Sequence, residues 1–166
     1  LQVTANLFDV ASLQEQYNKI KANNLQAVGT VGRLYHDTKA VVKFTPDGDL
    51  RQVTKFPHRK DDDTTGAVVI YESPYRNKEN QVPMHMYIIC HDPYGQNQSA
   101  DSSSLGSAYV IKRVNNISQP DDIIVASYVG RPKTQDDYNR NLFLLADYYG
   151  CKIGFENDRG EVIPYA

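Results

Sequence analysis

The chain has 166 residues, of which 40% are hydrophobic and 23% are charged, and its net charge is −2. This composition supports one folded domain with a core, and it excludes the strongly basic character that would indicate nucleic-acid binding in general. No apolar run of about 18 residues occurs, and no basic N-terminal segment leads into an apolar one, so neither a membrane span nor a signal peptide is predicted.

The first predicted element is a helix over residues 12–24, which we expect to lie in a helical linker or arm, residues 1–38. Ser12 would cap this helix, with Glu15 three residues on in the capping-box pattern. Its apolar stripe is thin, so the helix should need a partner surface. The segment 29–33 contains two glycines but lacks the Lys and hydroxyl residue of a phosphate-binding loop, and it is interpreted as a turn.

A hairpin is predicted next, because the extended runs 40–44 and 50–56 flank a segment with Pro and Asp-Gly at residues 45–49. The polar run 61–66 is interpreted as a solvated loop. A short strand is predicted to follow over residues 67–72, and the Ser-Pro pair at residues 73–74 ends it.

The second half of the chain is more regular, with one predicted helix and four predicted strands. The helix, residues 134–149, has Thr134 as its cap, acidic residues in its first turn and Gly150 as its stop. Its apolar positions recur at helical spacing: Tyr138, Leu142, Leu145/Ala146 and Tyr149. Short turns between the first three strands favour antiparallel neighbours, and the helix then leads to a strand parallel to one of them. The predicted class is therefore α/β with a mixed sheet. The four strands are expected over residues 84–91, 105–114, 123–129 and 152–156, and the first is expected to be apolar on both faces, as a central strand is.

Two carboxylates follow apolar strands, since Asp92 ends the first strand and Glu156 ends the fourth. If these strands are adjacent and parallel, the two side chains lie roughly 5 Å apart, at the strand ends where open sheets carry sites. Such carboxylates repel one another unless a cation lies between them, and their hard oxygens suit Mg²⁺ or Mn²⁺. Asp101, on the loop before the second strand, is a possible third ligand. Capping of a turn is the alternative role for each acid taken alone.

Basic residues of the second half could contact DNA phosphates, and the best candidates are Arg131, after the third strand, and Arg159, after the acidic motif. A solvated face is the alternative for the others. Cys90 and Cys151 have no Cys or His partners at ligand spacing, which argues against zinc and against a disulfide scaffold. Both are expected in the core, in a reduced, intracellular setting. His91 lacks zinc partners as well, and packing or a hydrogen bond is expected for it.

The second half resembles the nuclease domain of the large terminase subunit of tailed bacteriophages. The first nuclease motif of that family has a strand, an Asp-Pro pair with a Gly nearby, a second Asp and another strand. Residues 87–95 (YIICHDPYG), 100–104 (ADSSS) and 108–111 (AYVI) resemble this motif. The second motif closes a short strand with an acidic residue, Asn and a following Gly. Residues 150–157 (GCKIGFEN) and Gly160 resemble it.

The resemblance implies an RNase H-like nuclease domain over residues 39–166, entered through the hairpin. It implies that Asp92 and Glu156 are catalytic metal ligands and that Asp101 assists them. The activity would be that of a two-metal-ion endonuclease, which uses Mg²⁺ or Mn²⁺ to cut concatemeric double-stranded viral DNA in the cytoplasm of the infected bacterial host. The implied partners are the portal, the small terminase subunit and an ATPase motor domain upstream in the full chain, with no membrane involved.

The chain departs from the family pattern in two ways. The third catalytic acid of the family lies on a later helix, beyond Ala166, so we expect this piece to bind metal weakly and to cleave poorly. No ATP-binding motif occurs, so the motor is expected to lie outside this sequence. A non-catalytic module that binds DNA or a packaging partner is the alternative function. An RNase H-like resolvase or transposase is a third hypothesis, and the similarity of helix 12–24 to the linker after a terminase motor counts against it.

Overall fold

The computed structural model describes residues 9–22, 29–54, 57–59, 61–94, 104–113 and 123–155. The described residues form two helices and seven strands. The helices are α1 (Val10–Ala22) and α2 (Gln135–Tyr149). The strands are β1 (Thr30–His36), β2 (Val42–Pro46), β3 (Ala67–Ile70), β4 (Tyr87–Asp92), β5 (Gly106–Lys112), β6 (Ile123–Gly130) and β7 (Lys152–Phe155).

All seven strands join one sheet, in the order β2-β1-β3-β6-β5-β4-β7. Neighbouring strands are antiparallel except β4 and β7, which run parallel with Ile88 opposite Lys152 and His91 opposite Phe155. Three consecutive antiparallel strands are thus followed by α2, which carries the chain to a parallel strand. The predicted α/β class with a mixed sheet is confirmed, and so is the strand pairing expected for the second half.

Alternation along the strands gives the sheet two different faces. On β4, Tyr87, Ile89 and His91 are buried on the side that α2 covers, called here the helix face. Cys90 and Asp92 are exposed on the opposite side, called here the far face. The sequence predicts a strand that is apolar on both faces, and this expectation is wrong because only the helix face of β4 is packed.

The helix α2 has the caps that its sequence predicts. Thr134 Oγ1 accepts a hydrogen bond from the Asp137 N–H at 3.1 Å and donates one to the Asp137 carboxylate at 2.6 Å. Gly150 adopts a left-handed conformation with φ 57°, which ends the helix. The inward side of α2 consists of the side chains predicted from helical spacing, and it packs on the helix face with no exposed area at four positions: Tyr138, Leu142, Leu145 and Tyr149.

The predicted hairpin is wrong in its pairing partner. β2 lies where the run 40–44 predicts a strand, but it pairs with β1 and not with the described residues 50–54. The turn between β1 and β2 is organised by Asp37, whose Oδ1 accepts hydrogen bonds from the N–H groups of Lys39 and Val41, both at 2.9 Å. An Asp side chain that binds the backbone ahead of it is a sufficient turn signal.

β1 overlaps the segment 29–33 that the sequence predicts as a turn, and this expectation is wrong because residues 30–36 form a strand. Gly32 lies so close to β2 that a Cβ there would stand 2.2 Å from the Thr45 carbonyl oxygen and 2.6 Å from the Phe44 ring. The glycine therefore serves a close approach inside a sheet. The division of the chain at residue 38 stays a prediction, and that position lies in the turn between β1 and β2.

The helix α1 begins before its predicted start. Asp9, and not Ser12, caps it, because the Asp9 carboxylate accepts hydrogen bonds from the N–H groups of Ala11 and Ser12 at 3.1 and 3.2 Å. Ser12 lies inside the first turn and donates its hydroxyl to the same carboxylate at 2.6 Å. No residue of α1 is buried within the described structure, which agrees with its thin apolar stripe.

The two cysteines differ in their surroundings. Cys90 is exposed, so its predicted core position is wrong, because it shares the far face with Asp92. Cys151 is partly buried against the core, as predicted, and burial raises the pKa of its thiol to about 12.

A Gly32→Ala substitution should destabilise the fold by about 1–3 kcal/mol, because the added methyl group would overlap the backbone of β2. Urea denaturation followed by circular dichroism measures the change. Gly48→Ala is the matched control, since nothing lies within 4 Å of the Cβ position there. It should change the free energy of unfolding by less than about 0.5 kcal/mol. Equal losses in the two variants would contradict the close approach of β1 and β2.

Candidate functional site at the carboxyl edge of the sheet

Four strands, β1, β4, β6 and β7, have their carboxyl ends on one side of the sheet, called here the carboxyl edge, and three of these ends carry or adjoin the predicted site residues. β4 and β6 both run antiparallel to β5, and β7 runs parallel to β4, so all three end on this side. Asp92 is the last residue of β4, Arg131 directly follows β6, and Phe155 is the last residue of β7. Strand ends of this kind are where open sheets present functional side chains to a ligand.

The structure describes one member of the predicted acidic pair. Asp92 is exposed on the far face, and it lies opposite Ser107 of β5. Glu156 and Asp101 lie outside the described residues, as does Arg159. β7 is adjacent and parallel to β4, which is the condition that the acidic pair requires. The shared site of the two acids stays a prediction.

The described residues do not assemble a metal site by themselves. Across the described ranges, no group of three or more His, Cys, Asp or Glu side chains is placed to hold an ion. Asp92 supplies one exposed carboxylate, a hard oxygen donor of the kind that Mg²⁺ and Mn²⁺ prefer. The other ligands implied by the resemblance belong to segments outside these ranges, so Asp92 fits the donor chemistry but does not complete it.

Arg131 is held at the carboxyl edge by contacts with three separate segments. Its Cζ lies 5.0 Å from the centroid of the Tyr94 ring, within the range of a cation–π interaction. Its Nη1 donates a hydrogen bond to the Ser104 carbonyl oxygen at 2.8 Å, and its own carbonyl accepts one from Thr64 Oγ1 at 3.0 Å. Sequence reasoning missed this role, because no local signal links these segments. DNA binding by Arg131 stays a prediction.

The loop that precedes β3 is also built into this edge. Gly66, with φ 73°, passes so close to β6 that a Cβ would lie 2.0 Å from the Val129 carbonyl oxygen. Tyr128 Oη donates to the Thr65 carbonyl at 3.2 Å, and the Asp63 carboxylate accepts from the Thr65 N–H at 2.9 Å. The run 61–66 is therefore a turn anchored near Arg131, and it is also solvated as predicted, since Asp61, Asp62, Asp63 and Thr65 are exposed.

Four rings pack together on the helix face near Asp92, and we call them the aromatic cluster: His91, Tyr94, Tyr128 and Tyr138. Tyr138 is at the centre, with ring centroids 5.6 Å from His91, 5.2 Å from Tyr94 and 5.0 Å from Tyr128. Gly106 makes room for it, since a Cβ there would lie 2.5 Å from Tyr138 Cζ. Helical spacing identifies Tyr138 as a core residue, but the cluster joins side chains that are distant in sequence.

Burial keeps the aromatic cluster uncharged. His91 is 5% exposed, and neither of its ring nitrogens has a hydrogen-bond partner among the described residues. Burial lowers the pKa of His91 to about 4, an effect that the neighbouring Asp92 carboxylate partly opposes. Burial also raises the pKa of Tyr128 to about 12 and raises that of Tyr138. The packing expected for His91 is confirmed. Asp92 therefore lies next to an uncharged protein interior of low dielectric constant.

Comparisons of this chain with protein-family models, with curated proteins and with solved structures find no match. Functional inference therefore depends on the residues at the carboxyl edge and on the sheet that positions them. Neither described helix has the length and apolar character needed to cross a bilayer.

The stability of the fold should fall as the pH drops from 6.5 towards 4. In this window the unfolded chain binds a proton at His91 while the folded chain does not, because the pKa in the fold is about 4 and the ordinary value is 6.5. Stability is lost with falling pH wherever the unfolded state binds more protons. The contribution of His91 is fully present above pH 6.5, and its slope reaches at most about 1.4 kcal/mol per pH unit.

Urea denaturation at several pH values tests this expectation. His91→Phe keeps a ring in the cluster but cannot bind a proton, so its stability should depend less on pH between 4 and 6.5. His36→Phe, at an exposed position on β1, should keep the slope of the native chain. An unchanged slope in His91→Phe would show that another group carries the dependence.

Proposed function

We propose that this chain carries an RNase H-like endonuclease domain of the kind found in phage large terminase subunits, which cleaves concatemeric double-stranded viral DNA. One observation supports this most strongly: the parallel neighbour of β4 is β7, so Asp92 ends a strand beside the strand that leads into the second acidic motif. The order β6-β5-β4-β7, with α2 between β6 and β7, also agrees with the strand arrangement that the resemblance implies.

The proposal assigns the acidic residues to one site. It extends the β4–β7 register by one residue beyond the pair His91–Phe155, so that Glu156 would follow opposite Asp92. Neighbouring strands are about 4.8 Å apart, a separation at which two carboxylates repel unless they share a cation. Asp101, from the loop that enters β5, would be the auxiliary ligand.

The chemistry divides between a metal and the residues around it. Mg²⁺ or Mn²⁺, when bound in a pair, activates water and stabilises the leaving oxygen in phosphodiester cleavage. In the proposal, Asp92 would be one of the carboxylate ligands of the metal. The buried, neutral aromatic cluster lies on the other face of β4, so little water on that side screens the Asp92 charge. In the proposal, Arg131 and Arg159 contact the DNA phosphates on either side of the acids.

The assignment to a terminase extends the same proposal to its partners and setting. The ATPase motor would precede this domain in the full chain, and the portal and small subunit would deliver DNA to the carboxyl edge. Packaging would take place in the cytoplasm of the infected bacterial host. These assignments derive from the resemblance, and the geometry of β4 and β7 supports them only through the nuclease site.

A second candidate is a non-catalytic module that holds DNA or a packaging partner on the same sheet. The observation that favours it is the engagement of Arg131, whose guanidinium is stacked on Tyr94 and bonded to Ser104. A group held in this way can present a fixed positive charge without taking part in cleavage. The two candidates differ in whether phosphodiester bonds are broken.

Manganese-dependent nicking of supercoiled plasmid by the chain tests the proposal. Asp92→Asn should lower the nicking rate by more than about 100-fold. Loss of a residue that only hydrogen-bonds to a metal ligand lowers metal affinity or activity by about 10–100-fold, and in the proposal Asp92 is itself a ligand. Asp49→Asn, an exposed acid near β2 at the other end of the sheet, should nick at the native rate. Calorimetry should show weaker Mn²⁺ binding in Asp92→Asn and native binding in Asp49→Asn.

The outcomes separate the two candidates. Plasmid retention on gels without nicking would favour the binding module if, in addition, Asp92→Asn binds Mn²⁺ as tightly as the native chain. Nicking that persists in Asp92→Asn would remove Asp92 from the site and, with it, the nuclease proposal.

A further inference from the structure

A cavity of about 210 Å³ lies on the far face, away from α2. Its floor is formed by apolar side chains of β3 and β6, among them Val69 and Val129, and residues 52–53 border it from outside the sheet. Val69 is only 2% exposed, so this part of the far face is enclosed and not open sheet. None of the described residues that line the cavity carries a formal charge, which disfavours an ionic ligand because these residues would not compensate its desolvation.

Two hydroxyl groups give the cavity a polar point of attachment. Ser127 is 6% exposed, and its Oγ lies 3.0 Å from Tyr71 Oη, where either oxygen can be the donor. The pair has two hydroxyl hydrogens and uses one of them in the mutual bond. One donor and several lone pairs therefore remain for a ligand. Gln52 adds an amide to the lining, so the cavity offers uncharged donors and acceptors on an apolar floor.

Two tyrosine rings flank the entrance of the cavity. Tyr71 is 40% exposed and Tyr109 is 37% exposed, so each ring presents part of its surface to solvent. Gly29 leaves space for the Tyr71 ring, since a Cβ at that position would lie 2.6 Å from Tyr71 Cδ1. Half-exposed aromatic rings of this kind stack with planar groups, and such stacking tolerates many ring systems.

The size of the cavity suits a small ring system. An apolar cavity of about 150 Å³ accommodates benzene, so about 210 Å³ accommodates a heterocycle of one or two rings with polar substituents. Such a ligand is planar, uncharged and able to hydrogen-bond at its rim. A nucleic-acid base has all three properties, and enzymes that extrude a base hold it by rim hydrogen bonds and ring stacking.

The position of the cavity connects it with the carboxyl edge. Tyr109 lies opposite Cys90, and Ser107, two residues earlier on the same strand, lies opposite Asp92. Two residues of a strand span about 7 Å and neighbouring strands are about 4.8 Å apart, so Tyr109 and Asp92 are diagonal neighbours about 8 Å apart on the same face, a distance that one or two nucleotide steps can span. We propose that this cavity binds one unpaired nucleic-acid base of a strand whose backbone passes Asp92. The choice of a base over other heterocycles rests on the proposed function.

The test uses the whole chain with EDTA present, so that binding is measured without cleavage. The probe is an octamer of abasic deoxyribose phosphates that carries one 2-aminopurine, and the control is the fully abasic octamer. The probe should bind at least about tenfold more tightly than the control, and its fluorescence should be quenched as the base stacks on tyrosine.

Variants then locate the binding. Tyr109→Ala should weaken probe binding by about tenfold or more, and Ser127→Ala should weaken it through the lost hydroxyl pair. Tyr35→Ala, at an exposed tyrosine of β1 outside the cavity lining, should bind like the native chain. If Tyr109→Ala fails to fold by circular dichroism, Ser127→Ala decides the question.

Equal binding of the probe and the fully abasic octamer would overturn the proposal, as would equal losses in Tyr35→Ala and Tyr109→Ala. Native binding in Ser127→Ala, with Tyr109→Ala unfolded, would overturn it as well. The nuclease proposal fails separately. Tight, Tyr109-dependent binding of the probe, together with Mn²⁺ binding and nicking that do not depend on Asp92, would retain the base site and remove the nuclease. Asp92-dependent nicking without preference for the probe would do the reverse.

Discussion

Adjacent residues on β4 must face opposite sides of the sheet, and this constraint separates a buried histidine from an exposed carboxylate by a single peptide unit. His91 enters the aromatic cluster without a charge, whereas Asp92 reaches solvent at the carboxyl edge. β4 can hold both in fixed positions because it is hydrogen-bonded on each side, to β5 and to β7. β4 is therefore an interior strand of the described sheet, and the proposed metal site lies at its carboxyl end.

Tyrosine side chains connect α2, the sheet and the loops. The Tyr149 ring packs 5.0 Å from the Tyr87 ring, while its hydroxyl donates to the Glu72 carbonyl at 2.6 Å. Tyr87 Oη in turn accepts from the Tyr75 N–H at 2.8 Å. Each ring buries apolar area and each hydroxyl satisfies a backbone group at the rim of the core.

The second half of the fold could be predicted because its signals are local and agree with one another. Thr134, Gly150 and the apolar spacing of α2 all indicate the same helix, and short turns indicate antiparallel strands. β1 could not be predicted in this way, because the role of Gly32 depends on Thr45 and Phe44, which approach it only in the folded sheet. The Pro and Asp-Gly residues after β2 indicate a hairpin with the following segment. In the structure, the hydrogen bonds of Asp37 form the turn before β2, which therefore pairs with β1.

The candidate site could likewise be predicted only where its signals are local in the sequence. Asp92 could be predicted from a strand followed by an acid, and parity alone places it on the face of Cys90. The contacts of Arg131 with Tyr94 and Ser104 could not, since they join separate segments across the carboxyl edge. The cavity beside Tyr71 also escaped sequence reasoning, because its hydroxyl pair joins β6 to the residue after β3.

β7 has four residues and lies at the end of the described sheet, where β4 is its sole described partner strand. Short outer strands open by local fluctuations that cost much less than global unfolding. A catalytic group carried by the end of such a strand would be assembled and dismantled on its own timescale, while the helix and the inner strands stayed folded. In the proposed nuclease, the acid that follows β7 would therefore join the site last, after the rest of the domain has formed around β4.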